Sequence, residues 1–474
     1  MEEPSECEIQ DNHEAFAYPV VHQQPSPTGC YSAHAARVAS VISPNNTMGN
    51  RGAGLAQLFY PNVGVPTGPH PFDQQDDTAC SPWGTVSAYH WMVADHDVPT
   101  VNESYGCLGG EMCTEQVASG WEGITQDFYS RYYGTTIVKA AGNRDCFGVE
   151  DPACPFSLNS ICVGSIDSDG DLSCKSSFHN PTHPTSSDRE EPDVVAFGGG
   201  RDPGCNYVAS APCTAIPASG ATAWSKSIGT SFAAPVVTSM VSLFKERCQQ
   251  HFPFPLDQRV MRAHFRTWAL LNVEGPAYST PRPNVDLTDG AGVVLADLLA
   301  LSCVPNGTYG NIGLVGGGVD LTQDNGPMPG GEAQYQNGWN PPGETQAMPH
   351  SGAKSFGYAP GPGSGRKWAA LVQIPLPDGA RVRATWSWDG CVPGVTGSAP
   401  GAVAIDFDLF LFNNSTNEYY WASQSLDDNN EGFDYTLQGG EGGDISIILA
   451  WPDGAQSCEG NTVDAGALSW LALW

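Results

Sequence analysis

The sequence predicts an α/β domain built on a parallel sheet, followed by an all-β sandwich or jelly roll. Three observations carry this reading. Up to about Cys303, short β-like runs alternate with helix-like segments, the pattern of a parallel sheet wrapped by helices on both faces. From Gly316 to Gly365, Gly, Pro, Asn and Gln dominate and periodicity disappears, as in a linker and the loops that open a new domain. From Lys367 onward the runs are strand-like and alternating. The division that follows is residues 1–305 for the α/β domain, 306–366 for a Gly/Pro-rich linker and loops, and 367–474 for the sandwich.

Within the first region, Thr136-Ile137-Val138-Lys139-Ala140 and Ser160-Ile161-Cys162-Val163-Gly164 read as buried strands. The clearest helix runs from Phe232 to Cys248, where Val236, Val237, Met240, Val241 and Phe244 form an apolar stripe. Further helices are expected at Ser32 to Ile42 and Val86 to Asp95. In the last region, Val382 to Trp388, Phe407 to Phe412 and Ile445 to Ala450 alternate as strands.

Composition narrows the class. The 474 residues are 40% hydrophobic and include 13 Trp and 18 Phe, enough for packed cores rather than disorder. With 20 Lys and Arg against 51 Asp and Glu, the formal charge is −31, a field that repels nucleic acid. No apolar run reaches membrane-spanning length. Fifteen cysteines across the chain suit an oxidising compartment. Zinc fits poorly, because there is no Cys-x-x-Cys and the His179 and His183 pair has none to complete a site. Short loops can instead be closed by Cys107 with Cys113, Cys146 with Cys154 and Cys205 with Cys213, and an odd total leaves one cysteine over. The chain opens Met1-Glu2-Glu3-Pro4 without a secretory signal, so its N-terminus is expected to be incomplete.

The strongest chemical signal is Gly229-Thr230-Ser231-Phe232-Ala233-Ala234-Pro235. Glycine lets the chain turn sharply before Ser231, and the apolar helix that follows places its hydroxyl where the helix dipole favours developing negative charge. A plain Ser/Thr helix cap is the bland alternative.

This segment resembles the serine motif of the subtilisin-like serine proteases, residue by residue. Other segments match in the family's order: Ser104-Tyr105-Gly106 resembles the strand that pairs with substrate backbone, Ala140-Ala141-Gly142-Asn143 the oxyanion-hole segment, and Cys154-Pro155 with Ser160 to Gly164 the proline and Val-Gly strand. The match covers about Ser32 to Cys248. It implies a secreted, monomeric serine endopeptidase acting on proteins or peptides, with no nucleic-acid or membrane partner and no cofactor needed for chemistry. Ser231 would attack, and Asn143 with the Ser231 N–H would stabilise the oxyanion. Ser104, Tyr105 and Gly106 would bind substrate.

The general base implied by the family's acid–His–Ser order is His34, in His34-Ala35-Ala36-Arg37-Val38-Ala39-Ser40. This segment is similar to the family's histidine motif at the His, Val and Ala. Ala35-Ala36, Arg37 and Ser40 depart from it. The acid stays open. Glu6 fits by local pattern, Glu2 and Glu3 fit by distance from His34, and Asp11 or a residue upstream of Met1 are further choices, since the family's acid-bearing strand has no counterpart here. Many family members hold calcium. Asp167, Asp169 and Asp171 have spacing that suits it, as do Asp406 and Asp408, although an acidic turn and solvated strand positions explain both without metal. The C-terminal segments Asp406 to Leu411 and Ala422 to Ser425 resemble the β-sandwich domains appended to bacterial secreted proteases, where Cys391 and Cys458 would pair. Two rivals remain. The sedolisin branch uses carboxylates in place of His, and a catalytically impaired protease-like binding protein would account for the missing acid strand and the altered His motif.

Overall fold

The structure is a computed structural model. It describes residues 16, 18–23, 33–43, 53, 56–61, 82–104, 121–143, 157–167, 170–173, 176–177, 191–199, 213–215, 224–251, 255–269, 290–297, 299, 314–320, 366–392, 406–423, 429–452 and 466–474. The chain forms two compact units, 1–180 with 191–245, and 181–190 with 246–474.

The first unit contains, in chain order, β1 (Val21–His22), α1 (Ala33–Ile42), β2 (Phe59–Tyr60), α2 (Pro82–Tyr89), β3 (Thr100–Glu103), α3 (Trp121–Tyr133), β4 (Thr136–Ala140), β5 (Ile161–Ile166), β6 (Val194–Phe197), β7 (Cys213–Ala215), β8 (Trp224–Lys226) and α4 (Thr230–Cys248). A π-helical stretch, His90–Asp95, continues α2. The central sheet has the order β3-β4-β5-β6 and every pairing in it is parallel. β3, β4 and β5 are buried at every position, as strands with both faces covered must be. The polar residues within these strands, among them Asn102, Glu103 and Lys139, are buried with the apolar ones. β1 and β2 form a separate parallel pair, and β7 and β8 an antiparallel one.

Helix α1 packs through Ala35, Ala36, Val38 and Ala39 into a cluster that includes Val101, Ile137 and Phe232. Ala35 and Ala36 are fully buried. The Ala35-Ala36 departure from the family motif therefore keeps small side chains where the helix meets its neighbours.

The second unit begins with α5 (Gln258–Trp268), capped by Asp257, whose Oδ1 accepts from the N–H of Arg259 at 3.0 Å and of Val260 at 3.2 Å. It continues with β9 (Leu314–Asp320), β10 (Arg366–Leu376), β11 (Arg381–Trp388), β12 (Asp408–Asn413), β13 (Glu418–Ser423), β14 (Asn430–Thr436), β15 (Gly443–Pro452) and β16 (Gly466–Leu473). The strands make two antiparallel sheets, β10-β15-β12-β13 and β14-β11-β16-β9. Trp386, Trp388, Phe407, Leu409, Ile445 and Ile447 belong to the shared core, with the Phe407 ring 5.1 Å from that of Trp388 and 5.7 Å from that of Trp386, edge to face.

Polar side chains join α5 to this sandwich. Arg262 donates to the Trp388 carbonyl at 2.6 Å, and Thr267 Oγ1 to the Ser469 carbonyl at 3.2 Å. Arg383 donates to the carbonyls of Ala269, Arg266 and Ala291 at 2.7, 3.3 and 3.1 Å. His264 Nδ1 lies 3.2 Å from Ser469 Oγ, and burial pushes this imidazole down from 6.5 to about 3.

Two features differ from the division expected near residue 305. Residues 246–303 fall in the compact unit of the sandwich, because the partners of α5 are the backbone and side chains of β11 and β16. β9 lies partly in the stretch whose texture resembles a linker, yet it pairs with β16 from Leu314↔Leu473 to Asp320↔Ala467. Gly316, Gly317 and Gly318 present no side-chain alternation, while their backbone groups still complete the ladder.

Cys162, Cys248 and Cys391 are disulfide-bonded. Each of the four expected pairs includes at least one cysteine outside the described residues. Among the described residues no helix is long and apolar enough to cross a membrane.

Candidate active site

Ser231 is the second residue of α4 and is 8% exposed. The turn before it depends on Gly229, whose φ is +124°; a Cβ there would stand 2.8 Å from Asn143 Oδ1. Both the backbone conformation and the close approach therefore require glycine. The Gly229 N–H donates to the Gly198 carbonyl at 3.0 Å, and the Phe232 N–H to the Gly229 carbonyl at 2.9 Å.

Thr230 locks the turn to the end of β4. Its N–H donates to Asn143 Oδ1 at 2.9 Å. Its Oγ1 lies 3.0 Å from the Gly142 carbonyl oxygen and 3.1 Å from Asn143 Oδ1, and accepts from the Gly142 N–H at 3.2 Å. An otherwise unsatisfied donor of the first helical turn is thus used to hold the Asn143 carboxamide.

On the other side stands Ser104, just past the end of β3. Pro235 has no N–H, so the Ser231 carbonyl lacks its helical donor. Ser104 Oγ replaces it at 2.8 Å. The Ser231 hydroxyl in turn donates to the Ser104 carbonyl at 3.0 Å. Asn102, on the same face of β3, donates to Ser104 Oγ at 2.8 Å and accepts from Thr238 Oγ1 of α4 at 2.9 Å.

His34 lies in α1 with its ring centroid 5.5 Å from that of Phe232, the residue after Ser231. The expected residues Ser231, Asn143, Ser104 and His34 therefore come to the N-terminal turn of α4 from α4 itself, the end of β4, the end of β3 and α1. Tyr105 and Gly106 lie outside the described residues, as do Glu2, Glu3, Glu6 and Asp11.

For calcium, the described acids do not gather. Asp167 is buried, and its carboxylate accepts from the Asp171 N–H at 3.1 Å within a turn closed by Gly170. Asp169 lies outside the described residues. Asp408 is the buried first residue of β12, two positions after Asp406. Among the described residues no group of three or more His, Cys, Asp or Glu could hold a metal ion.

Two residues escaped the sequence reading. Glu103 closes β3 and Lys139 lies one residue before the end of β4. They form an ion pair of 3.2 Å, with side chains 4% and 1% exposed. A charged residue near the end of each of two strand segments was the available signal.

The Subtilase family matches residues 9–292, more than half of the chain. No curated protein matches it. Among solved structures, the Prenylagaramide maturation protease PagA is 17% identical, covering 62% of this chain and 90% of its own, with a TM-score of 0.44. The Patellamide maturation protease PatA is 19% identical over 62% of this chain and 93% of its own, at a TM-score of 0.44. A cold adapted subtilisin-like serine proteinase is 16% identical over 61% and 87%, at 0.41. With its serine-bearing helix bonded to residues at the ends of two strands of a parallel sheet and a family match over residues 9–292, the chain belongs to the Subtilase family and is a serine protease.

Proposed function

We propose that this chain is a secreted endopeptidase that cleaves peptide bonds with Ser231 as nucleophile, His34 as general base and Asn143 as oxyanion donor. The observation that carries the reading is the hold of Thr230 on Asn143 Oδ1. With that oxygen engaged, the carboxamide NH2 is the end left for a substrate oxygen, beside the Ser231 N–H at the positive end of α4. Attack by Ser231 Oγ moves its proton to His34 and the carbonyl electrons onto the oxygen held by these two donors. Collapse of the adduct expels the amine, which takes the proton from His34. Ser104 to Gly106 would pair with the substrate backbone.

The test is labelling of the full chain with a fluorophosphonate probe, which reacts only with an activated serine. Labelling of the wild type, absent in Ser231→Ala, supports the reading. A chain that folds, shows no labelling and yet binds peptides would be the impaired binding protein instead. One observation favours that second reading: the Ser231 hydroxyl is donated to the Ser104 carbonyl.

Export from the cell is supported by the fifteen cysteines and by the disulfide-bonded state of Cys162, Cys248 and Cys391. Mass mapping of the natural protein should find Cys391 linked to Cys458. Free thiols throughout would argue for a reducing compartment.

A further inference from the structure

We propose that the buried Glu103–Lys139 ion pair is a positioning device for catalysis, fixing the ends of β3 and β4 so that Ser104 and Asn143 keep their places on either side of Ser231. The inference rests on the serine-nucleophile reading above.

Glu103 and Lys139 are register partners, and theirs is the last pairing of the β3–β4 ladder. Beyond it the two chains part, one into Ser104 and the other, through Ala140 to Gly142, into Asn143. The ion pair therefore sits at the fork. The Glu103 carboxylate is held from three elements: Lys139 of β4 on Oε2, Gln126 of α3 also on Oε2, and Tyr89 of α2, whose hydroxyl donates to Oε1. All four side chains are buried.

Side chains alternate across a strand, so Asn102 and Ser104 bond α4 from one face of β3 while Glu103 is gripped from the other. β3 is thus fixed on both faces at the residue before the serine contact. Stability alone does not account for such a pair. Two buried charges lose their hydration, and apolar residues of similar volume often do as well or better. What the ion pair adds is direction: it fixes one strand end relative to the other, where a small displacement of a reacting group has a large kinetic cost.

The experiment uses the full chain carrying Glu103→Gln together with Lys139→Met, which removes both charges at once and keeps an amide at position 103 for Tyr89 and Gln126. The expected result is a folded protein with a melting temperature near that of the wild type. Its kcat falls about 10- to 100-fold while KM changes less than about twofold. Affinity for a peptide boronic acid, which forms a tetrahedral adduct on Ser231, falls in the same proportion as kcat. Unchanged kcat in the folded double variant overturns the proposal, as does a parallel fall in kcat and melting temperature with boronic acid affinity intact.

Tyr89→Phe is the gentler second variant, because it removes a single hydrogen bond to the carboxylate. It should lower kcat about threefold to tenfold with KM unchanged. If the double variant does not fold, wild-type kcat in Tyr89→Phe overturns the proposal by itself. A wild type that the fluorophosphonate leaves unlabelled overturns the serine reading, and this inference with it; a labelled wild type beside a fully active variant removes this inference alone.

Discussion

In the α/β unit, Asn102, Ser104, Thr230, Ser231 and Thr238 are buried polar side chains whose hydrogen bonds bind α4 to the ends of β3 and β4. In the sandwich, Trp386, Trp388, Phe407 and Phe433 fill the space between the sheets, and the long polar side chains Arg262, His264 and Arg383 lie where α5 packs on β11 and β16. One unit buries polarity at the serine, where groups must be held in place before charge develops. The other buries it where a helix is secured to a sheet. The same raw material, buried polar atoms with partners, serves reactivity in one place and attachment in the other.

The comparison breaks most sharply at Ser231. Ser231→Ala should lower kcat on the order of 10⁶-fold with the fold intact, as read by peptide hydrolysis beside circular dichroism. Substantial residual turnover would mean that polarity gathered at α4 is structural after all. The next largest effect falls on the sandwich. A chain ending near Cys303 keeps α5 but loses β11 and β16, so α5 should lose its protection and be cut early in limited proteolysis. Equal resistance in the shortened and full chains would show that α5 is secured elsewhere.

Asn143→Asp sharpens the contrast within the active site. The carboxylate still accepts from the Thr230 N–H, but the NH2 is gone. The expected loss is at least about 10²–10³-fold in kcat, with KM little changed. A larger change in KM than in kcat would assign Asn143 to substrate binding.

The smallest effect belongs to the sandwich and depends on pH. His264 stays neutral in the folded chain down to about pH 3, whereas in the unfolded chain it takes up a proton below 6.5. Its contribution is therefore fully present above pH 6.5 and is lost progressively as pH falls from 6.5 to about 3, because only the unfolded state gains the proton. Between pH 7 and 4.5 this amounts to about 2–3 kcal/mol. His264→Asn should lose less of its melting temperature than the wild type over that interval. Identical slopes would show that the imidazole is reached by protons in the folded state.

Much of this was legible from residue order. The strand Thr136–Ala140 has the expected bounds, and α4 extends over the predicted Phe232–Cys248 with two further residues at its start. Gly229 could be read because its conformation and close approach admit no other residue, whereas the bond that Pro235 leaves unmade at the Ser231 carbonyl emerged only with the fold. β9 was not legible, since a glycine run shows no pattern until another strand lies beside it. Nor was the location of α5: its hydrophobic period is helical on any domain, and only the partners of Arg262 and Thr267 tell which sheet it covers.

The sequence alone determined the succession of an α/β unit and a β-rich unit, the identity of the serine motif and the residue types around it, because local geometry and backbone chemistry restrict those positions one by one. The tertiary structure decided what distance along the chain conceals. It set Thr230 against Asn143 across 87 residues, Ser104 against Ser231 across 127 and Glu103 against Lys139 across 36. Such pairs come from the parallel stacking of strands whose connections carry no record of which ends will meet.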